Sequence, residues 1–180
     1  MKLRKYVSVF TMVAAAGVGL THLSAAQVPL RGDREFKDPA SKWQIILKDN
    51  WEPTTYQDGA GNSVTDIIYD NREEGILRIR ALTVDSGTTA EELALREEES
   101  TNRFRPGFTK GKLEPFNGNL HGVVANFDFT SGGRRKTARY YYLKASETLF
   151  YVLRFEGRPE FLRSLRNRND LMARSFRPPS

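Results

Sequence analysis

The sequence predicts an α+β fold, a mostly antiparallel sheet of six to seven strands covered by helices, in short an α/β sandwich. Three observations support this expectation. Apolar residues recur at every second position through most of the chain beyond Trp43. The alternating segments of the second half are joined by turns short enough for hairpins, which makes neighbouring strands antiparallel. Two stretches, one mid-chain and one at the end, instead place apolar residues at helical spacing.

A leader precedes the fold. Lys2, Arg4 and Lys5 stand before an apolar run from Val7 to Leu20, and Ser24-Ala25-Ala26 closes it with small residues. This is the secretory pattern, with cleavage after Ala26 and a periplasmic or secreted product. The run is shorter than the ~20 residues a bilayer crossing takes, so no stable membrane span is expected after cleavage. The chain has no cysteine, which excludes disulfides and a lipid-modified amino-terminal Cys. The leader holds three of the positive charges, so the net charge drops from +6 to +3 on its removal. That mild excess, in an exported protein, speaks against nucleic acid as a partner. Of the 180 residues, removing 26 leaves 154, a size for one domain. Residues 27–40 are polar and marked by Pro and Gly, and read as a tether; residues 41–178 form the domain.

The elements follow in order. "WQIIL" from Trp43 is a short strand that "NWEP" closes. "SVTDIIYD" (63–70) and "ILRIRAL" (76–82) alternate, the second with Leu77, Ile79 and Ala81 opposite Arg78 and Arg80. With turns at "DGAGN" and "NREEG", these three make a meander with one dry face. "SGTTAEEL" supplies Thr88 or Thr89 as a helix cap, with Glu91 or Glu92 three positions on. The helix should run to about Arg103 and stop before Pro106. Ala90, Leu93, Ala94, Thr101 and Phe104 fall on one face, with Glu97 among them. Four more strands follow in "FTKGKLEPF", "NLHGVVANFDFT", "RKTARYYYLKA" and "TLFYVLRFEG". A final amphipathic helix opens at Pro159 and sets Phe161, Leu165, Met172 and Phe176 against Arg163, Arg166 and Arg174.

Two local motifs add a resemblance. An aromatic-bearing strand runs into a second tryptophan in "WQIILKDNWEP", and the last helix ends in Ser175-Phe176 within "LMARSFRPP". With the order of elements, these make residues 36–178 resemble the PsbP-like family, which includes the photosystem II extrinsic protein, exported bacterial relatives and a Ran-binding import factor. The sequence departs from the family pattern at the proline before the second tryptophan, where Lys48 and Asp49 stand. The resemblance implies a PsbP-like sandwich and a non-catalytic module that binds or helps assemble other proteins, with no catalytic residue to transfer.

The residues themselves offer little chemistry. Beyond the leader there is one histidine, His121, and no cysteine, so Cys/His zinc sites are excluded. No cofactor or metal ligand set is expected, and no nucleophile is paired with a base, so the chain reads as no enzyme. Two alternatives stay open: a small exported hydrolase that would depend on His121, and an envelope protein that binds polyanions. Glu97 is the candidate buried carboxylate, because its neighbours on the helical wheel are apolar; a salt bridge to a sheet arginine, or a stem along the core edge with its head in water, stays open beside that reading. The candidate partner-binding residues are the basic ones: Arg134, Arg135, Lys136 and Arg139 at or near one hairpin, and Arg163, Arg166 and Arg174 on the last helix. An envelope or secreted protein is the expected partner. Replacing Arg134, Arg135 and Lys136 together is expected to leave folding nearly untouched.

Overall fold

Alternation builds a wide sheet, and the stretch where alternation fails marks its centre. In the computed structural model, residues 32–40 and 42–179 are described, and the expected leader and cleavage site lie outside them. The strands are β1 (Arg34–Lys37), β2 (Gln44–Leu47), β3 (Trp51–Gln57), β4 (Ser63–Tyr69), β5 (Gly75–Thr83), β6 (Thr109–Asn117), β7 (His121–Ser131), β8 (Arg134–Lys144) and β9 (Leu149–Gly157). Three helices accompany them: α1 (Ala90–Ser100), α2 (Pro159–Ser164) and α3 (Arg166–Ser175). Seven strands form one sheet in the order β3-β4-β5-β9-β8-β7-β6, every pairing antiparallel, and β1 pairs with β2 in a separate ribbon. The protein is an α+β sandwich.

The centre of the sheet is covered on both faces, whereas the meander of β3, β4 and β5 packs its apolar residues Trp51, Ile67, Tyr69 and Leu77 into one cluster. On one face the β1–β2 ribbon, α2 and α3 close over Leu77, Tyr141, Leu143, Leu153 and Phe155. On the other, α1 packs over Phe127, Phe129, Tyr140, Tyr142 and Val152. A strand buried on both faces no longer reads as alternating. That is why Lys136 to Leu143 of β8 form one unbroken buried run.

Several boundaries differ from expectation. "WQIIL" leaves the main sheet for the ribbon, and its place is taken by "WEPTTYQ", the edge strand β3. Pro53 lacks the N–H a central strand needs, but an edge position tolerates that. Arg34–Lys37 is strand β1, so this part of the expected tether pairs with β2. Helix α1 has the expected cap: Thr89 Oγ1 accepts from Glu92 N, and Glu92 accepts from Thr89 N. It ends at Ser100, however, and Thr101 has left helical geometry. A tight 3-10 turn over Asn102–Phe104 follows, and Arg105 is extended ahead of Pro106, as a residue before proline prefers. Phe104 therefore lies 70% exposed and outside the core. The last helix is broken at Leu165 into α2 and α3.

The two segments behind the family resemblance meet in space. Gln44 and Arg177 exchange backbone hydrogen bonds of 2.9 Å, and Ile46 N donates to Ser175 Oγ at 2.9 Å. Phe176 is fully buried, with its ring 5.0 Å from Tyr151 and 6.4 Å from Trp43. The Ser-Phe ending thus fastens the ribbon to the last helix.

Candidate functional site

Strand β8 organises the polar chemistry of the molecule. The Gly132-Gly133 turn ahead of it has φ of 57° and 73°, the paired positive values that a two-residue hairpin takes. From there side chains alternate between the two faces. Each of the three tyrosines meets one carboxylate that an arginine also holds. Tyr140 donates to Glu156, which Arg105 binds at 2.6 Å. Tyr141 donates to Asp170, which Arg139 binds at 2.7 Å. Tyr142 donates to Glu97 at 2.9 Å, and Arg154 pairs with the same carboxylate.

Electrostatics follow from these contacts. Burial pushes the hydroxyl pKa values of all three tyrosines up, and the neighbouring carboxylates add to it, so they stay protonated donors. Burial alone would raise Glu156, but the hydrogen bonds from Arg105 and Tyr140 outweigh it and hold the carboxyl below the usual glutamate range. The guanidinium of Arg105 also lies 3.3 Å from the ring centre of Phe129, a cation–π contact over the same cluster.

Glu97 is accordingly half-buried and paired, rather than a lone carboxylate in an apolar stripe. The carboxylate with the least exposure is Asp66 on β4, which has no exposed surface. It accepts from Arg72 at 2.6 Å, Arg78 at 3.1 Å and Tyr56 at 3.2 Å. Its partners lie on three different segments, so periodicity alone had no means of finding it.

The seven basic candidates do not form one patch. Arg134 pairs with Glu73 at 3.4 Å. Lys136 is only 9% exposed and donates to the Glu73 main-chain oxygen at 3.0 Å and to its carboxylate at 2.9 Å. Lys136 is therefore a structural tie between β8 and the β4–β5 turn, and its replacement is expected to cost stability. Arg139 is buried as well, held by Asp170, by Asn126 Oδ1 at 2.6 Å and by Tyr141. Arg174 donates to the Asn117 carbonyl and lies 5.4 Å from the Phe116 ring centre, clamping the β6–β7 hairpin.

The remaining three come together. Arg135 and Arg163 both bind Asp128, at 2.7 and 2.9 Å, and Arg166 binds Glu114 at 3.1 Å. Burial would raise Asp128, but the bonds from Thr137 and Arg135 and the Arg163 charge prevail and hold it below its usual value. Arg139, Arg163 and Arg166 line a cavity of about 540 Å³ between β6–β7 and the α2–α3 corner, together with Lys110 and Lys112. Arg163 and Arg166 are exposed on its rim, with 60% and 56% of their side-chain surface open. Lys112 was not singled out in the sequence, although period two places it on the same face as Glu114 and Phe116.

His121 is exposed on β7, with Nδ1 2.9 Å from Asn117 Oδ1. Among the described residues no group of His, Cys, Asp and Glu is arranged to hold a metal, and no helix is long and apolar enough to cross a membrane.

No family model matches the chain, and no curated protein matches it either. Solved structures do. Cyanobacterial PsbP from Synechocystis sp. PCC 6803 superposes with a TM-score of 0.60 at 12% identity, over 86% of this chain and 97% of that one. The fold is PsbP-like. LpqN of Mycobacterium tuberculosis, described as involved in cell envelope biogenesis, matches with a TM-score of 0.54 at 12% identity, over 82% and 92% of the two chains. The Ran-binding protein Mog1p of Saccharomyces cerevisiae gives 0.56 at 9% identity, over 83% and 96%. A longer chain from Bacteroides thetaiotaomicron shares the fold as well, and this chain spans about half of it, 49%.

Proposed function

We propose that this protein is an exported, non-catalytic binding module that contacts a protein partner in the cell envelope through the α2–α3 corner. The observation behind this reading is the pair of exposed arginines Arg163 and Arg166 on the rim of one cavity, with exposed Arg135 bound to its Asp128. Exposed guanidinium groups with spare N–H donors suit an acidic protein surface, where Arg is enriched at contacts. The leader supports export, and a PsbP-like fold shared with an envelope-biogenesis protein and a Ran-binding protein fits a binding role. The buried polar clusters around β8 support a structural reading of the tyrosines, since their hydroxyls and carboxylates satisfy each other.

The test is co-precipitation from the native envelope fraction across a range of salt. The reading expects a defined protein captured at moderate salt and lost when Arg163 and Arg166 are both changed to Glu. Capture that ignores this double change would remove the α2–α3 corner from the account.

A further inference from the structure

We propose that the cavity between β6–β7 and the α2–α3 corner is a binding site for a phosphate-class dianion, held by Lys112, Arg163 and Arg166. The proposal uses the same cavity as the partner reading but does not depend on any partner.

The site has a built floor. The β6–β7 register slips between Lys110 and Leu113, and the extra length forms a bulge. A side chain at Gly111 would place its Cβ 2.5 Å from the Asn126 carbonyl oxygen, so only glycine lets β6 lie this close to β7. The Asn126 side chain then joins the bulge to the interior: Nδ2 donates to the Lys112 carbonyl at 3.1 Å, and Oδ1 accepts from Arg139 at 2.6 Å. The segment bearing Lys112 is thereby tied to a buried arginine that Asp170 and Tyr141 also hold.

The donors around this floor are incompletely used. Among the described residues, the Lys112 ammonium has neither a hydrogen bond nor an ion pair. Arg163 and Arg166 each spend one terminal nitrogen on Asp128 and Glu114 respectively, while a guanidinium has five N–H donors. Charge points the same way. The cavity's cations and those paired to its carboxylates are Lys110, Lys112, Arg135, Arg139, Arg163 and Arg166. The matching carboxylates are Glu98, Glu114, Asp128 and Asp170, which leaves two positive charges unbalanced. A dianion restores neutrality. A tetrahedral oxyanion also presents oxygens toward both walls, to two guanidinium groups on the helical corner and an ammonium on the bulge. A single planar carboxylate would only repeat what Asp128 and Glu114 already supply.

The phosphoryl group has two possible sources, a free phosphate or a lipid headgroup, and the experiment separates them. The protein is titrated with inorganic phosphate, with glycerol phosphate, and with phosphatidylcholine vesicles carrying phosphatidic acid, while amide NMR spectra are followed. Lys112→Ala, Arg166→Ala and the control Arg134→Ala are titrated in parallel. The proposal expects saturable shifts at residues 110–114, 126–128 and 162–166, with a Kd of about 1 mM for a soluble phosphate. Lys112→Ala or Arg166→Ala should weaken binding about tenfold, the equivalent of about 1.4 kcal/mol, and Arg134→Ala should leave it unchanged. A response to vesicles alone, lost in the same two variants, supports the site and assigns the phosphate to a headgroup. Absence of a saturable response to all three probes overturns the proposal, as does a response that Lys112→Ala and Arg166→Ala leave intact. Lys112 has no partner to lose, so its variant tests the site without a folding defect. Phosphate binding can fail while envelope capture through Arg163 and Arg166 persists, and in that case only this proposal falls.

Discussion

The two faces of β8 carry the same chemical parts in different states of completion. Toward α1, Tyr140 with Glu156 and Arg105, and Tyr142 with Glu97 and Arg154, make closed sets in which each carboxylate has both a tyrosine and an arginine. Toward α2 and α3, Tyr141 with Asp170 and Arg139 repeats the set, but it borders a cavity whose rim cations keep unused donors. One face is closed except for Arg154 Nε, which is buried without a partner among the described residues, while the other turns its spare donors toward a cavity. Identical residue types therefore serve stability on one side and offer contacts on the other, and the distinction lies in neighbours rather than in sequence.

The largest expected effect comes from breaking the set that floors the open face. Arg139→Ala leaves Asp170 without its buried counter-ion and Asn126 without its donor. It should destabilise by about 3 kcal/mol or more, read by denaturant unfolding. On the closed face, Glu156→Gln should cost about 2 kcal/mol at neutral pH, because a charged bond to Arg105 and the best acceptor of Tyr140 are both lost. This loss has a pH signature. Glu156 is held below its usual value when folded, so the unfolded chain binds the proton at higher pH. Its contribution is complete above the ordinary glutamate range and disappears as pH falls through the lower folded value. The gap between wild type and Glu156→Gln should therefore close in acid; a gap independent of pH would break the assignment.

Smaller effects sharpen the comparison. Lys136→Ala should destabilise by about 1 kcal/mol, because its ammonium bonds the Glu73 main-chain oxygen and the stem is buried. Arg134→Ala, one position ahead of Arg135 and exposed, should change stability by at most about 0.5 kcal/mol. Equal losses for the two would mean that the hairpin tip behaves as one solvated charge cluster.

Much of the fold was legible because hairpin turns and period two agree over β6 to β9, and because Thr89 and Glu92 form a recognisable cap. What was hidden has physical causes. Strand β3 lacks apolar alternation because it is an exposed edge. The break at Leu165 leaves the apolar stripe of Leu165, Met172 and Phe176 intact, so one helix and two look alike in the sequence. Of the site, the arginines were visible but their partners were not: Asp128, Glu114 and Asn126 reach them only through sheet register and helix packing. Arg134 and Lys136 share a face of β8 and both reach Glu73, but Lys136 is covered by the β4–β5 turn, which hairpin spacing alone does not reveal.

The most direct test of the contrast between the two faces is envelope co-precipitation with charge matched on each side. Arg163→Glu with Arg166→Glu changes the open face; Arg134→Glu with Arg103→Glu changes exposed arginines away from it. With both variants folded as judged by thermal unfolding, the first pair should lose the captured protein and the second should retain it. Equal retention, or equal loss, would contradict the claim that the α2–α3 corner is the working face.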